Sequence, residues 1–440
     1  MDYIPANTHP PRFLRESIVP DLSTRIRSAA AVARLCIAAT ALALACAPAA
    51  RAGEVLVASP GNPRERAYLE QMRADQSEHP TLAVGSGAPD FKLLGTDGKP
   101  HSLNDYKDSR VLIVVFISNH CPASQLYEAR IKAIAQDYRD RGVRVVAIAP
   151  NGPLAATMSS LNYTDVDDSV KSMKIRADYG HFNFDYLYDG DTQAVSHRYG
   201  PKVTPHLFVF DEHRVLRYEG RIDDRLQPGR ATTHEARDAI DSLLAGKPVA
   251  VPHTAVFGCS TKWHSHRAGV EDELAEWNAL PVNLEVASLA DLSALRQNHT
   301  GKMLMVNFWA TWCAPCQAEY PMLLETYLWY RSRDFEFVSV SLDAPEAKAA
   351  VQKFLNKTHS AIRNLGVDTD DVYAVMKAFD PSWESGVPFT IVIAADGTVA
   401  YQHAGEVDRL KLRRAILAQL PDAGMFAGNA AYWQQAQVHP

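Results

Sequence analysis

One order of residues occurs twice in this chain, and it limits the folds available more than any other feature. An apolar run carries a phenylalanine five residues ahead of a cysteine, and a helical pattern follows: residues 111–117 with Phe116 and Cys121, then 303–309 with Phe308 and Cys313. Further on, Thr204-Pro205 answers Val387-Pro388, and Gly220-Arg-Ile-Asp223 answers Gly405-Glu-Val-Asp408. Unbroken apolar runs of this length read as buried strands. Each unit therefore reads as β-α-β with a crossover, then a β-hairpin and a helix. That order makes an α/β fold: a mixed central sheet with helices on both faces, built twice.

The second unit carries the stronger chemical signal. Cys313-Ala-Pro-Cys316 follows a buried strand, with Trp312 beside it and a helix starting at its second cysteine. A cysteine at a helix N-terminus sits at the positive end of the helix dipole, which favours thiolate, the nucleophile of disulfide exchange. A second thiol two residues on can resolve the mixed disulfide within the same chain. A zinc ribbon would need a second such pair or histidines at ligand spacing, and haem attachment would need histidine where Gln317 stands. A disulfide with only two residues between its cysteines closes too small a loop to stabilise much. Redox chemistry is the favoured reading, with a purely structural disulfide as the alternative.

The compartment fits. Arg25, Arg27 and Arg34 precede the small-residue apolar run 35–47, and Ala50-Arg51-Ala52 offers a cleavage site. Residues 1–52 thus read as a signal peptide or an N-terminal anchor. Retention by residues 29–50, or lipidation at Cys46, are the alternatives to cleavage. Removing the segment removes Cys36 and Cys46 and leaves Cys121, Cys259, Cys313 and Cys316 in an exported, disulfide-permissive periplasm or cell envelope. Hydrophobic content of 47% and charged content of 22% are globular values, and a net charge of −6 gives no reason to expect nucleic-acid binding.

The organisation along the chain follows. A helical stretch over 64–77 leads in, and a short hairpin is expected around Gly95-Thr-Asp-Gly98. The first unit covers 80–250, with strands at 111–117, 143–149 and 206–210 and helices at 125–139, 171–178, 193–199 and 234–245. Residues 251–275 read as a linker and flexible extension carrying Cys259. The second unit covers 276–422, with strands at 303–309, 335–342, 389–394 and 398–403 and helices at 316–331, 344–356, 370–379 and 408–420. Residues 423–440 read as a loose tail. Asp165, Asp167 and Asp168 lack the glycine and glutamate of a calcium loop and read as acidic surface. His264 and His266 alternate on an extension and read as solvated rather than metal-binding. No metal and no cofactor is expected.

Residues 276–420 resemble the TlpA-like thiol-disulfide oxidoreductases of the thioredoxin superfamily. The matching residues are Phe308-Trp309-Ala-Thr-Trp-Cys313-Ala-Pro-Cys316, Glu319-x-Pro321 and Gly386-Val-Pro388. The resemblance implies Cys313 as exposed nucleophile, Cys316 as buried resolving thiol, Glu319 as a nearby acid tuning them, and Pro388 as a cis-proline packed against the disulfide. Residues 80–265 resemble the peroxiredoxin-like redoxin family of AhpC/TSA type. The match covers Asn119-His120-Cys121-Pro122, Tyr186-Leu187-Tyr188-Asp189, Thr204-Pro205-His206, Arg221-Ile-Asp-Asp224 and Gly258-Cys259-Ser-Thr-Lys-Trp263. Two departures stand out. Ser124 occupies the place of a second cysteine, and in the peroxiredoxin Pro-x-x-x-Thr-x-x-Cys motif Val114 replaces proline and Ser118 replaces threonine.

Together the resemblances imply two tandem thioredoxin-like folds. The function expected is an exported enzyme exchanging disulfides through Cys313 and Cys316, with a redoxin unit bearing a single nucleophile, Cys121. Cys259 is the candidate to fold back and resolve Cys121, and His120 the candidate to stabilise its thiolate. The 313/316 dithiol could in turn reduce a 121–259 disulfide as an internal relay. Expected partners are client protein thiols or disulfides and a membrane or periplasmic electron donor. The alternatives are a thiol peroxidase on Cys121 recharged by the C-terminal dithiol, with peroxide as substrate, and a first unit that only docks clients.

Overall fold

The computed structural model describes residues 63–422 and 426–437. The expectations for residues 1–52 lie outside them. Among the described residues no helix is long and apolar enough to cross a membrane.

Fifteen strands and twelve α-helices are described. The strands are β1 (Lys92–Gly95), β2 (Pro100–Ser102), β3 (Val111–Phe116), β4 (Val143–Ala149), β5 (Asp185–Tyr188), β6 (Val203–Thr204), β7 (His206–Phe210), β8 (Leu216–Gly220), β9 (Cys259–Ser260), β10 (Leu284–Ala287), β11 (Met303–Trp309), β12 (Phe335–Ser341), β13 (Arg363–Val367), β14 (Phe389–Ile393) and β15 (Val399–Ala404). The helices are α1 (Pro63–Glu78), α2 (Pro122–Asp137), α3 (Val170–Tyr179), α4 (Ala194–Tyr199), α5 (Glu235–Leu244), α6 (Arg267–Asn278), α7 (Leu289–Gln297), α8 (Ala314–Tyr330), α9 (Lys348–Lys357), α10 (Val372–Phe379), α11 (Arg409–Leu417) and α12 (Asn429–Gln437).

The first sheet runs β2-β1-β5-β4-β3-β7-β8 and the second β10-β13-β12-β11-β14-β15. In each, the strand before the cysteine lies inside the sheet. It pairs parallel with the strand after its helix and antiparallel with the first strand of the hairpin: β3 with β4 and β7, β11 with β12 and β14. Alternate side chains of such a strand enter opposite layers. Val111, Ile113 and Val115 join the core under α2 and α5, while Leu112, Val114 and Phe116 join the core on the other face. In β11, Leu304, Val306 and Phe308 face one core and Met303 and Met305 the other. Burial on both faces is why β3 is an unbroken apolar run and β11 is one but for Asn307.

Two expectations need correction. Residues 251–275 are no loose linker: β9 pairs antiparallel with β6, Trp263 and Thr261 are buried, and α6 begins at Arg267. The tail is no loose tail where it is described. In α12 Trp433 is fully buried, Tyr432 donates its hydroxyl to Glu128 Oε2 at 2.7 Å, and Asn429 donates to Gln125 Oε1 at 2.7 Å. An indole and two buried acceptors on α2 reward ordering that the tail's polar composition hides.

The two halves meet along the C-terminal part of α8. Ala156 and Leu161 pack with Leu323, Trp329 and Tyr330. Asp165 is shared between Arg176 of its own half (2.8 Å) and Arg414 of the other (2.7 Å). The expected acidic surface at 165–168 is therefore wrong for Asp165 and Asp168, which are both buried.

Candidate active site: two cysteine centres

Cys313 is the N-cap of α8. Its sulfur accepts the Cys316 backbone N–H at 3.3 Å, and Pro315 sits in the first turn, where its missing N–H costs nothing. Cys313 and Cys316 are joined by a disulfide, with Cα atoms 5.3 Å apart. The resemblance implies an exposed Cys313. It is 5% exposed against 0% for Cys316, so the little surface this disulfide offers belongs to Cys313. Trp312 beside it is 64% exposed. The preceding turn is held by Asp343, which accepts the Thr311 N–H at 2.8 Å.

Glu319 lies one helical turn after Cys316, on the same face. Its carboxylate is buried, accepting from Asn307 Nδ2 at 3.3 Å and from the Val407 N–H at 3.0 Å. Burial outweighs these two bonds and pushes its pKa up to about 7. It is therefore a group poised to exchange protons at neutral pH. Val387-Pro388 and Thr204-Pro205 are both cis, so Pro388 and Pro205 occupy equivalent places in the two halves.

The first centre is built alike. Cys121 is the N-cap of α2, accepting the Ser124 N–H at 3.4 Å, and its thiol reaches the Thr204 carbonyl oxygen at 2.9 Å. β9 brings Cys259 opposite Thr204. That approach requires glycine before it, since a Cβ on Gly258 would lie 2.1 Å from the Thr204 oxygen. The result places the Cys259 thiol beside Cys121, close enough for each sulfur to shift the other's pKa. Burial pushes the Cys121 thiol up. The Cys259 thiol, the charge of His120 and the Ser124 N–H more than offset it, holding the pKa at about 5. Cys259 moves the other way, well above the usual thiol range, because it lies against Cys121 and its sulfur is shielded from solvent. One sulfur is set up as nucleophile and the other as its protonated neighbour.

Both sulfurs are free thiols. Cys121 is fully buried and Cys259 partly exposed. His120 is also buried, so it does not turn to solvent. Among the described residues no group of three or more histidine, cysteine or carboxylate side chains is arranged to hold a metal ion. Sequence reasoning named all four of these cysteines, quoted Gly258 only within a family match and Asp168 only as acidic surface, and passed over Asn307. For Gly258 a signal existed, a glycine directly before a cysteine.

Residues 84–219 match the AhpC/TSA family model and residues 279–417 the Redoxin family model. Thiol-disulfide oxidoreductase ResA of Bacillus subtilis (strain 168) is 35% identical over 99 residues, 22% of this chain and 51% of that protein. Thiol:disulfide interchange protein CycY of Rhizobium leguminosarum bv. viciae is 25% identical over 124 residues, 28% of this chain and 61% of that protein. This chain thus spans about half the length of the curated relatives it matches. A hypothetical protein from Sinorhizobium meliloti 1021, known from its crystal structure, is 32% identical, with a TM-score of 0.38, over 42% of this chain and 97% of its own.

Proposed function

From a chain that joins an AhpC/TSA-family domain to a Redoxin-family domain, both of the thioredoxin superfamily, we propose an exported thiol-disulfide oxidoreductase that reduces client disulfides through Cys313 and Cys316. The observation that carries this reading is the 313/316 pair at the head of α8 with buried Glu319 one turn behind it. Export is supported by the apolar run and cleavage site before Gly53.

In the reduced enzyme, the Cys313 thiolate attacks one sulfur of a client disulfide. A mixed disulfide forms and the other client sulfur leaves as thiolate. Cys316 gives its proton to Glu319, whose pKa of about 7 suits the transfer, and attacks the Cys313 sulfur. The client leaves with two thiols and the enzyme retains the 313–316 disulfide. A dithiol donor in the envelope returns the two electrons. Cys121 and Cys259 form the second centre, in which Cys259 closes a disulfide on an oxidised Cys121. Their common approach to Thr204 also supports a second reading, a thiol peroxidase, where peroxide oxidises Cys121 to sulfenic acid and Cys259 displaces water from it.

Turnover of a protein disulfide by the full chain with a chemical dithiol as donor tests the first reading. Cys313→Ser should abolish it, and Glu319→Gln should slow it and remove an inflection near pH 7. Undiminished turnover in Cys313→Ser overturns it. Cys121→Ser separates the remaining readings. Unchanged turnover leaves the first half a docking module, and loss of peroxide-dependent thiol consumption assigns it the peroxidase step.

A further inference from the structure

β11 is buried along its whole length, and Asn307 is the one amide side chain in it. Both bonds of that amide leave from its nitrogen. Nδ2 donates to Glu319 Oε1 at 3.3 Å and to Thr390 Oγ1 at 3.0 Å. Thr390 is the register partner of Asn307 on β14, two residues after the cis Pro388, and is fully buried too. An amide nitrogen has two hydrogens, so both are spent. Asn307 Oδ1 is buried and has no hydrogen-bond partner among the described residues. A buried acceptor left unpaired calls for a reason. Glu319 supplies one. Its two oxygens both face donors, Oε1 the Asn307 amide and Oε2 the Val407 N–H at 3.0 Å. That cage suits a carboxylate. A carboxylic acid in the same place has a hydrogen to give and faces no acceptor. The Val407 N–H is fixed in the backbone and cannot become one. Asn307 carries the missing acceptor on the other arm of its amide.

We propose that Asn307 is a positioning residue for the 313/316 centre, an amide that serves Glu319 in both of its protonation states: Nδ2 donates to the carboxylate, and after a half-turn of the amide Oδ1 accepts from the carboxylic acid. Thr390 can follow the turn, because a hydroxyl both accepts and donates. The proposal rests on the reading of Glu319 as acceptor of the Cys316 proton and adds the group that lets a buried carboxyl change charge there. In that step the Cys316 S–H bond breaks and an O–H bond forms on Glu319. The Cys316 thiolate then attacks the Cys313 sulfur. The 313–316 bond forms, the bond from Cys313 to the client breaks, and the client sulfur leaves with the electron pair. Glu319 gives its proton up to solvent, from which the client thiolate is protonated.

Other ionisable groups lie near Glu319: Cys316 one turn earlier on α8, Glu406 just before Val407, and Tyr401 on β15. Among the described residues Asn307 gives the Glu319 carboxylate its one hydrogen bond from a side chain.

The first measurement is the infrared carboxylic-acid band of the oxidised full chain against pH, with the curve of Glu319→Gln in the same background subtracted. Wild-type Glu319 should titrate near 7. Asn307→Leu removes donor and acceptor together. The bond to the charged form is the stronger of the two, so the midpoint should rise, by about one unit. Asn307→Ser keeps a polar group in the strand but is too short to span the gap. It should raise the midpoint alike and covers the case in which the leucine variant fails to fold. With that shift about one tenth of Glu319, rather than half, is ionised at pH 7. Turnover of a protein disulfide should fall about fivefold there and recover towards wild type by about pH 9. The second measurement is the proton resonances of the Asn307 amide, identified by their loss in Asn307→Leu. A half-turn takes both Nδ2 hydrogens off their acceptors, so both should shift with the Glu319 midpoint. A midpoint that falls or stays in the Asn307 variants, a turnover loss equal at every pH, or movement of a single amide proton overturns the proposal. A wild-type Glu319 that titrates in the ordinary carboxylate range, or a Glu319→Gln enzyme with the wild-type pH profile, overturns instead the reading of Glu319 beneath it.

Discussion

Tyr330, the last residue of α8, donates its hydroxyl to the Thr164 carbonyl oxygen of the other half at 2.7 Å. Cys313 caps the opposite end of the same helix. Seventeen residues separate the two ends, about 25 Å at the helical rise of 1.5 Å per residue. Arg333 adds a bond to the Asn162 carbonyl at 2.9 Å, and Arg414 joins Asp165. The joint between halves thus lies at the foot of α8, away from the 313/316 disulfide at its head. With the 313/316 disulfide a helix length from this joint, we expect the internal relay not to operate while the joint holds. In a Cys316→Ser variant challenged with oxidised Cys121–Cys259 protein, the trapped Cys313 disulfide should therefore link two chains. Non-reducing electrophoresis and peptide mass mapping would read it. A Cys313–Cys259 link within one chain would show that the joint opens.

Glu128 and Glu319 give stability a pH dependence. Burial raises each carboxyl to about 7, above the value of about 4.3 for a free glutamate. Between those values the folded chain binds more protons than the unfolded one, so stability falls as pH rises through that window. The unfolding midpoint in urea should drop between pH 5 and pH 7.5. Glu128→Gln and Glu319→Gln should each flatten the slope, and together flatten it further. An undiminished slope in the double variant would place the titrating groups elsewhere.

The strands nearest both cysteines were legible because two covered faces demand nearly continuous apolar residues, as in Met303–Trp309 apart from Asn307 and in residues 207–210. Short or polar strands were not. β13, with Arg363, Asn364 and Gly366, and the edge strand β10, with Glu285, carry too little pattern to be separated from loop. Of the four cysteines in the two centres, Cys313 and Cys316 were named from spacing and neighbours, Cys121 from the internal repeat and Cys259 only through the family match. Asp168 was not, because nothing local says that a loop 48 residues away closes over His120. The extension with Cys259 looked flexible because its hold on the first half comes from a two-residue strand pairing, one glycine contact and isolated buried side chains such as Trp263, which leave no apolar period.

α12 ties the halves together, and its anchor is testable. Trp433 is fully buried with Trp329 and Leu412, and Arg176 lies 4.7 Å over its ring. Trp433→Ala should cost about 3–5 kcal/mol, the usual toll of emptying a large aromatic site. A urea midpoint unchanged by the substitution would mean that the helix is dispensable. The Cys121 titration offers a second readout, because Asn429 on the same helix holds Gln125, which in turn donates to the Asn119 carbonyl at 2.9 Å. Loosening α12 should disturb that turn.

Gly258 sets the distance between the two sulfurs of the first centre. A methyl group there cannot be absorbed by a flexible side chain, since the nearest atoms belong to the Thr204 and Pro205 backbone. Gly258→Ala should push β9 off β6 and move Cys259 away from Cys121. Two effects should follow in the full chain. The Cys121 pKa should rise from about 5, because the neighbouring Cys259 thiol is the largest of the influences holding it down. Formation of the 121–259 disulfide under mild oxidant should slow by at least tenfold, an order-of-magnitude expectation for reacting atoms moved out of contact. The 313–316 disulfide, in the other sheet, should form at its wild-type rate and so reports that the fold survives. Equal rates of 121–259 closure in the two proteins would mean that Cys259 reaches Cys121 by a path other than the β6–β9 pairing.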